Sequence, residues 1–484
     1  MHIIDWIVLI LTTCFIVFYG AWKTRKTSSV ESYLLGDRDL KWWTIGLSIM
    51  ATQASGITFL STPGQAYDDG MRFVQFYFGL PLAMVVLCIT FIPAFHKLNV
   101  YTAYEYLERR FDLKTRSLTA FLFLLQRGLS TGITIYAPAI VLSTILKIDI
   151  TYTTVLMGGI VILYTISGGT KAVSFTQLFQ MAVIFSGLIV AAIMVVYKLP
   201  YDVSFSDSLH IAGSLGKMNL IDTTFDWNNR YNIWSGIIGG FFLQLSYFGT
   251  DQSQVGRYLT GSSVTQSRLG LVMNGLIKIP MQFFILMIGI LVFTFYQYHE
   301  PPIFFNPVET SKIEQSEYNS DYQKIKADYS VLHQEKLASL NGFVKALHRD
   351  DDSQIKSAKL QLNEAEQKLQ ACRKGATDLM LKHNTKADVN DSNYVFLTFV
   401  MNFLPVGMIG LIIAIIFLAS MGSTASGLNS LAGTFIVDFY KRIIKKDNQD
   451  MNYLKASRWA TAIWGVFCII VALYASRLGN LIEA

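Results

Sequence analysis

Apolar residues along this chain gather into ten stretches, at about 3–21, 43–62, 73–97, 117–146, 152–170, 177–198, 233–254, 268–297, 396–438 and 457–477. Most approach or exceed the roughly 20 residues that a helix needs to cross a bilayer, so the pattern predicts a bundle of membrane helices. Two of the stretches are not apolar in the middle. Within Gly46–Pro63 the central residues read Ala51-Thr52-Gln53-Ala54-Ser55-Gly56-Ile57-Thr58. Small and hydroxyl residues at that depth suit either a packing face between helices or a helix that loosens and offers carbonyls to a ligand. The second window, Phe417–Ser430, places Ala419, Gly422, Ser423 and Ser426 on one face by helical spacing. Facing free carbonyls of 51–54, those hydroxyls would make a hard-oxygen site suited to Na⁺. The same hydroxyls can instead bond back to their own helix.

Composition agrees with the pattern: 52% of the 484 residues are hydrophobic and 15% charged, well under the roughly 25% of soluble domains. The net charge of +6 matters less than its placement. Lys23, Arg25, Lys26, Arg38 and Lys41 follow the first stretch, and Lys97, Arg109, Arg110, Lys114 and Arg116 the third. Lys171 follows the fifth, Arg257 and Arg268 the seventh, and Lys441, Arg442, Lys445 and Lys446 the ninth. All these connections fall on one side, which the positive-inside rule makes cytoplasmic, and the N-terminus is then outside. Basic residues that flank apolar runs form no stripe for nucleic acid. Cys14, Cys88 and Cys468 lie in apolar stretches and Cys372 stands alone, which leaves no disulfide framework. No nucleophile elbow, P-loop or His-Glu-x-x-His motif points to an enzyme.

The organisation is a membrane part over 1–297, a charged insertion over 298–394 and a second membrane part over 395–484. Orientation puts the insertion outside. Its Lys, Glu, Gln, Leu and Ala content predicts a helical hairpin projecting from the membrane, hinged at Arg349–Ser353, with a partner protein as one possible ligand. Three ionisable residues stand out inside the apolar stretches. Arg127 is placed either to bind a carboxylate or to snorkel to the cytoplasmic edge. Lys278 requires carbonyls or a carboxylate. Asp251 lies close enough to Arg257 to pair with it at the cytoplasmic surface.

Taken in order, five motifs resemble the sodium:solute symporter family, which includes sodium-coupled sugar, sialate, iodide, proline and monocarboxylate carriers. They are the 46–70 window, Thr102–Phe111, Tyr164–Val173, Gly249-Thr-Asp-Gln252 with Arg257, and Ser423–Asn429. The resemblance implies an all-α membrane fold of the LeuT-like inverted-repeat type behind one extra N-terminal helix. The first helix of each repeat, here 43–62 and 233–254, would be broken at mid-membrane. An eleventh segment would follow residue 484, so the last helix or helices are expected to be missing. The family's shared Na⁺ site maps onto the carbonyls of Ala51, Ala54 and Ala419 and the Ser423 hydroxyl. A second sodium site in some members needs an acidic residue where this chain has Gln177, with Ala425 near a hydroxyl position, so one sodium is expected.

Matched one by one, the solute positions are Gln53, Ser55, Thr58, Tyr77, Arg127, Gln244, Tyr247 and Lys278. Tyr77 replaces the carboxylate of sugar carriers while Arg127 and Lys278 are present, which favours an organic anion such as a sialate or a monocarboxylate. A glucose- or galactose-type sugar is the alternative. The expectation is a sodium-coupled importer of a small polar solute working by alternating access in the plasma (inner) membrane. A transporter-like receptor that senses a solute, or a passive channel, are readings of other classes.

Overall fold

The computed structural model describes residues 1–24, 35–146, 148–226, 229–385, 387–444 and 450–475. Arg25, Lys26, Lys445, Lys446 and the stretch 476–484 lie outside the described residues. The chain is all-helical, and six helical runs among the described residues are long and apolar enough to cross a membrane.

Helix α1 (Ile3–Thr24) precedes the first broken helix, whose halves are α2 (Trp42–Gln53) and α3 (Gly56–Asp69). A 3₁₀ stretch, Gly70–Tyr77, leads into α4 (Leu80–Ile89) and α5 (Phe91–Leu98). The short α6 (Ala103–Arg110) precedes α7 (Leu113–Leu146). Next, α8 (Ile150–Tyr197) is two helices joined at Gly169, where φ 62° and ψ −178° let the chain turn without a Cβ clash. After α9 (Phe205–Ser214) a π-turn at Ser235–Gly239 opens α10 (Gly240–Thr250), followed by α11 (Gln252–Tyr258) and the long α12 (Val264–Tyr298). The insertion contains α13 (Pro307–Glu314), α14 (Asn319–His348) and α15 (Asp352–His383). The expected single stretch 396–438 is split into α16 (Ser392–Phe403) and α17 (Met408–Thr434), with a π segment at Phe435–Ile444. Helix α18 (Asp450–Ala475) is the last described.

The extra helix α1 is fastened by a buried carboxylate. Asp5 accepts hydrogen bonds from the Gly407 (2.6 Å) and Gly410 (3.2 Å) amides at the start of α17. A carboxylate there satisfies orphan N–H groups and sits at the positive end of the helix dipole. Asp5→Ala should therefore destabilise the bundle by about 1–2 kcal/mol, read as a lowered thermal midpoint of the purified protein.

The hairpin does not project freely. Its turn lies at Asp350, which has φ 55°, within the expected hinge, but its apolar positions bind it back to the bundle. Leu340, Phe343, Val344 and Leu362 pack with Val203 and Ile211 beneath α9, and Tyr322, Tyr329, Leu369 and Met380 pack with Ile303 and Phe304. Polar contacts fix the same pose. Arg373 bonds Asp391 at 2.7 Å, the His333 ring meets the Tyr296 carbonyl at 3.4 Å, and Lys336 pairs with Glu366. The helical-hairpin reading predicts two packed arms but not their docking on the bundle, which rests on contacts made only in the fold.

Candidate functional site

The break in the first repeat falls where the small polar window stands. Ala54 (φ −82°, ψ 85°) and Ser55 (φ −80°, ψ 173°) are non-helical between α2 and α3. The Ala54 amide bonds the Met50 carbonyl and the Ser55 amide the Gln53 carbonyl. Among the described residues no amide bonds the Ala51 or Ala54 carbonyl, which leaves two acceptors at the end of α2. Gly56 makes the packing at the break possible. A Cβ there would stand 1.9 Å from the Ser420 Oγ of α17. Ser420 therefore stands against the break, with Ala419 next to it in sequence and Ser423 one turn on in the same helix. The Ser423 hydroxyl donates to the Ala419 carbonyl (3.0 Å) and lies 3.2 Å from that of Ser420. Its lone pairs remain available, but the Ala419 carbonyl is shared with that proton. Ser420 was not singled out from the sequence; its buried hydroxyl has no partner.

Around Gln177, where the resemblance would put a second sodium site in some members, side chains bond one another. The Gln177 carboxamide accepts from Ser48 (2.6 Å) and donates to Ser426 (3.0 Å), Thr52 (3.1 Å) and the Gly422 carbonyl (3.3 Å). Arg257 adds a guanidinium to the same cluster, 2.8 Å from Ser426 and 3.2 Å from Ser174. Ser426 thereby takes bonds from an amide and a guanidinium. A fixed positive charge and a neutral amide stand where a carboxylate would be needed to attract an ion.

Arg257 is thus inward of the expected surface pair. Asp251 instead faces Arg127 at 3.4 Å and caps α11 through the Ser253 amide at 2.8 Å. The chain is extended at Asp251 (φ −77°, ψ 114°), so the stretch 233–254, expected to be broken, breaks near its end. The capping carboxylate explains the position, because Asp starts a new helix and ends the old one. Arg127 is buried and lies over the Tyr247 ring at 5.8 Å, and Tyr247 accepts from Gln254 at 2.8 Å. Arg127, Tyr247 and Asp251 form one cluster on this side of the break.

The remaining solute candidates gather elsewhere. Gln53 donates to Gln244 at 3.4 Å across the two repeats, and Lys278 lies over the Tyr77 ring at 5.8 Å. Backbone contact makes this possible: a Cβ on Gly240 would stand 2.6 Å from the Phe76 carbonyl, so only glycine lets α10 approach the 70–77 stretch. Ser55 and Thr58 are half-buried beside the break. Helix α12 spans both halves of the broken helix, since Gly270 and Met273 lie against Gly46 while Gly289 lies against Pro63. Lys278 and Gln282, between those contacts, stand at the height of the break.

A polar face on α12 was not anticipated beyond Lys278. Asn274, Lys278 and Gln282 are spaced four apart, share one face, and are fully buried. Among the described residues none of their side-chain nitrogens or oxygens has a hydrogen-bond partner. Pro280 in the same helix lacks an N–H, so the Leu276 carbonyl loses its helical donor nearby. Buried polar groups are normally paired, and five orphan atoms along one face mark a place where something else supplies the partners.

With this geometry in view, the family comparison is decisive. A model of the sodium:solute symporter family matches residues 33–322 and 374–483. The chain belongs to the sodium:solute symporter family. The human sodium/iodide cotransporter is 34% identical over 277 residues, covering 56% of this chain and 42% of that protein. The human sodium-coupled monocarboxylate transporter 1 is 32% identical over 266 residues, covering 55% and 43%. These alignments span less than half of the relatives' own length. In structure the chain is similar to a Na⁺-coupled sialic acid symporter solved in a substrate-bound outward-open state, with TM-score 0.73 and 23% identity over 97% of this chain and 82% of that one. That likeness shows the fold, an all-helical multi-pass membrane bundle.

Proposed function

We propose that this symporter-family chain couples one Na⁺ to the import of a small organic anion by alternating access. The observation that carries the reading is the unpartnered face Asn274–Lys278–Gln282 at the level of the helix break. An ammonium among amides, with no carboxylate in reach, suits a solute that brings the carboxylate itself. Gln53, Ser55, Thr58 and Gln244 would read the rest of the solute. Tyr77 and Tyr247 would bound it. Arg127, engaged by Asp251 and the Tyr247 ring, would hold the cytoplasmic gate and release a solute anion by exchange between the two carboxylates. The relatives named above support the class, since iodide, monocarboxylates and sialic acid are all anions. A sugar is the second reading, favoured by the Gln53–Gln244 amide pair, which suits hydroxyl groups.

Sodium would bind the Ala51, Ala54 and Ala419 carbonyls and the Ser423 hydroxyl, tying α2 to α17 and raising solute affinity by reciprocal coupling. The basic residues place the N-terminus and the 298–394 insertion outside the plasma (inner) membrane. A tenfold sodium gradient contributes about 1.4 kcal/mol. With a monoanion the 1:1 cycle moves no net charge, so the ceiling is about tenfold accumulation. A neutral sugar would also draw about 2.3 kcal/mol from ~100 mV and reach about 500-fold. Uptake into proteoliposomes should therefore rise hyperbolically with sodium. Ser423→Ala should move the half-saturating sodium concentration up by about tenfold. Uptake indifferent to an imposed sodium gradient would sink the proposal, a sigmoidal curve would add a second ion, and an unmoved midpoint in Ser423→Ala would displace the site. Competition by lactate, a sialate and glucose separates anion from sugar.

A further inference from the structure

Residues 323–373 lie between the two parts that the family model matches, so the hairpin α14–α15 falls outside the family pattern except at its ends. Arg373, the last residue of that stretch, donates to Asp391 at 2.7 Å, and its guanidinium lies 5.5 Å over the Phe305 ring. The Phe305 amide donates to the other oxygen of Asp391 at 2.5 Å. One guanidinium of the hairpin therefore holds both a carboxylate and the residue bonded to it. Charge-assisted bonds of this kind are about twice as strong as neutral ones.

Both partners bear on α3. Asp391 precedes Ser392, the first residue of α16, and a Cβ on Gly64 of α3 would overlap the Ser392 carbonyl. Tyr67, one turn after Gly64, sets its ring edge-on to Phe305 at 5.7 Å. Gly64 and Tyr67 share a face of α3, and the Asp391–Phe305 junction is the seat on which that face rests. Tyr67 also meets Phe293 and Tyr296 of α12, but apolar contacts are non-directional, and the junction supplies the directional bonds. A second tie acts at the end of the helix. Lys217, after α9, donates to the Asp68 carbonyl in the last turn of α3 and accepts from the Met71 amide at 2.9 Å. Asn363 of the hairpin donates in turn to the Ser214 carbonyl of α9 at 3.4 Å. The other end of α3 begins at the break, with Ser55 as its cap residue and Thr58 in its first turn. The helix continues through Pro63, so its seat at Gly64 and Tyr67 sets where that first turn stands.

We infer that Arg373 is a positioning residue for solute binding: it holds the seat of α3 and thereby the placement of Ser55 and Thr58 at the break. The inference rests on the transport reading, in which Ser55 and Thr58 meet the solute. The carbonyls proposed for sodium at 51 and 54 belong to α2 and its cap, on the other side of the break. A shift of α3 therefore touches the solute and leaves the ion in place.

The test compares Arg373→Gln and Arg373→Lys with the parent in two readouts. In proteoliposomes with lactate as the probe, Arg373→Gln should raise the half-saturating lactate concentration about tenfold. The half-saturating sodium concentration, measured at saturating lactate, and the maximum rate should stay where they were. Arg373→Lys keeps a charge on Asp391 and should recover most of the parent's value. A residue needed only for the fold would lower the number of working carriers, hence the maximum rate, and leave half-saturation in place. In the purified protein, hydrogen exchange of the amides over 62–69 should speed up about tenfold in Arg373→Gln, while those of Trp42–Gln53 keep their rates. A parent that takes up no lactate in a sodium gradient defeats the transport reading for this anion, and the exchange comparison then decides alone whether Arg373 holds α3. Unchanged exchange over 62–69 overturns the assignment. So does an unmoved lactate midpoint in a parent that transports it, an equal rise for sodium, or a fall in maximum rate alone.

Discussion

Replacing Lys278 with alanine should abolish solute-driven function while making the empty protein more stable, and the two changes together are what identify a binding residue. Lys278 has no exposed surface and its ammonium has no hydrogen-bond partner among the described residues; the Tyr77 ring face at 5.8 Å is its one electrostatic contact. Holding a charge in that setting is costly, by several kcal/mol when nothing compensates it. A lysine kept only for packing would lose stability on truncation, through the cavity left behind. A lysine kept for a solute carboxylate removes a penalty from the empty state when it is truncated, as strained functional sites do. Uptake of an anionic solute should fall by about 100-fold or more, the loss of one charge-assisted hydrogen bond to the solute carboxylate and of the alignment it gives. The thermal midpoint without solute should rise, and the stabilisation that solute gives the parent protein should vanish. Retained uptake in Lys278→Ala, or a lowered midpoint with unchanged solute stabilisation, would remove the residue from the site. Asn274→Ala and Gln282→Ala should reproduce the effect in weaker form, because each removes neutral groups only.

Much of this arrangement was legible in the residues, and what escaped has physical reasons. The break after Gln53 was readable because small and hydroxyl residues at mid-membrane have few other uses, and the structure puts the non-helical residues at Ala54 and Ser55. The second break was placed only to within a stretch. Apolar content over 233–254 carries no trace of where the helix stops, whereas Asp251 followed by Gln252-Ser253 is an N-cap signal that fixes the stop at its end. The Arg127–Asp251 pair escaped because residues 124 apart in sequence meet only through tertiary packing, while Arg257 was the nearer partner on paper. Gln177 shows the opposite case. Its identity suggested a missing carboxylate, but only the fold reveals that the amide and Arg257 together occupy the cluster. The α12 face could have been found directly, since Asn274, Lys278 and Gln282 repeat every four residues in an otherwise apolar helix. Reading Lys278 alone hid a periodicity that was present.

The other large effect is expected where the start of α7 meets α6 and the π segment after α17. Arg116, at the start of α7, contacts Asp438 at 2.7 Å through Nε, Glu108 at 2.6 Å through Nη1, Glu105 at 3.6 Å and the Val437 carbonyl at 3.3 Å. Asp438 has no exposed surface; the Thr102 hydroxyl donates to the same oxygen at 2.9 Å, and the other oxygen has no partner among the described residues. One guanidinium therefore compensates a buried carboxylate and two neighbouring ones, and joins α6, α7 and the π segment after α17. Arg116→Ala would leave Asp438 buried and unpaired among like charges. Breaking a buried pair from one side costs about 3–5 kcal/mol, a large part of the stability of an ordinary domain. Arg442 also binds Glu108, but its contact reaches neither Glu105 nor Asp438, so it offers no rescue. The midpoint of thermal unfolding should fall sharply in Arg116→Ala. Adding Asp438→Asn should restore most of it, because the second change removes the charge that the first one stranded. If the double variant is as unstable as the single one, the penalty comes from lost packing of the arginine stem, and the ion pair carries little. If instead the single variant melts normally yet leaks solute across the membrane, the triad is a gate between α6 and α17 that stabilises one transport state and not the fold.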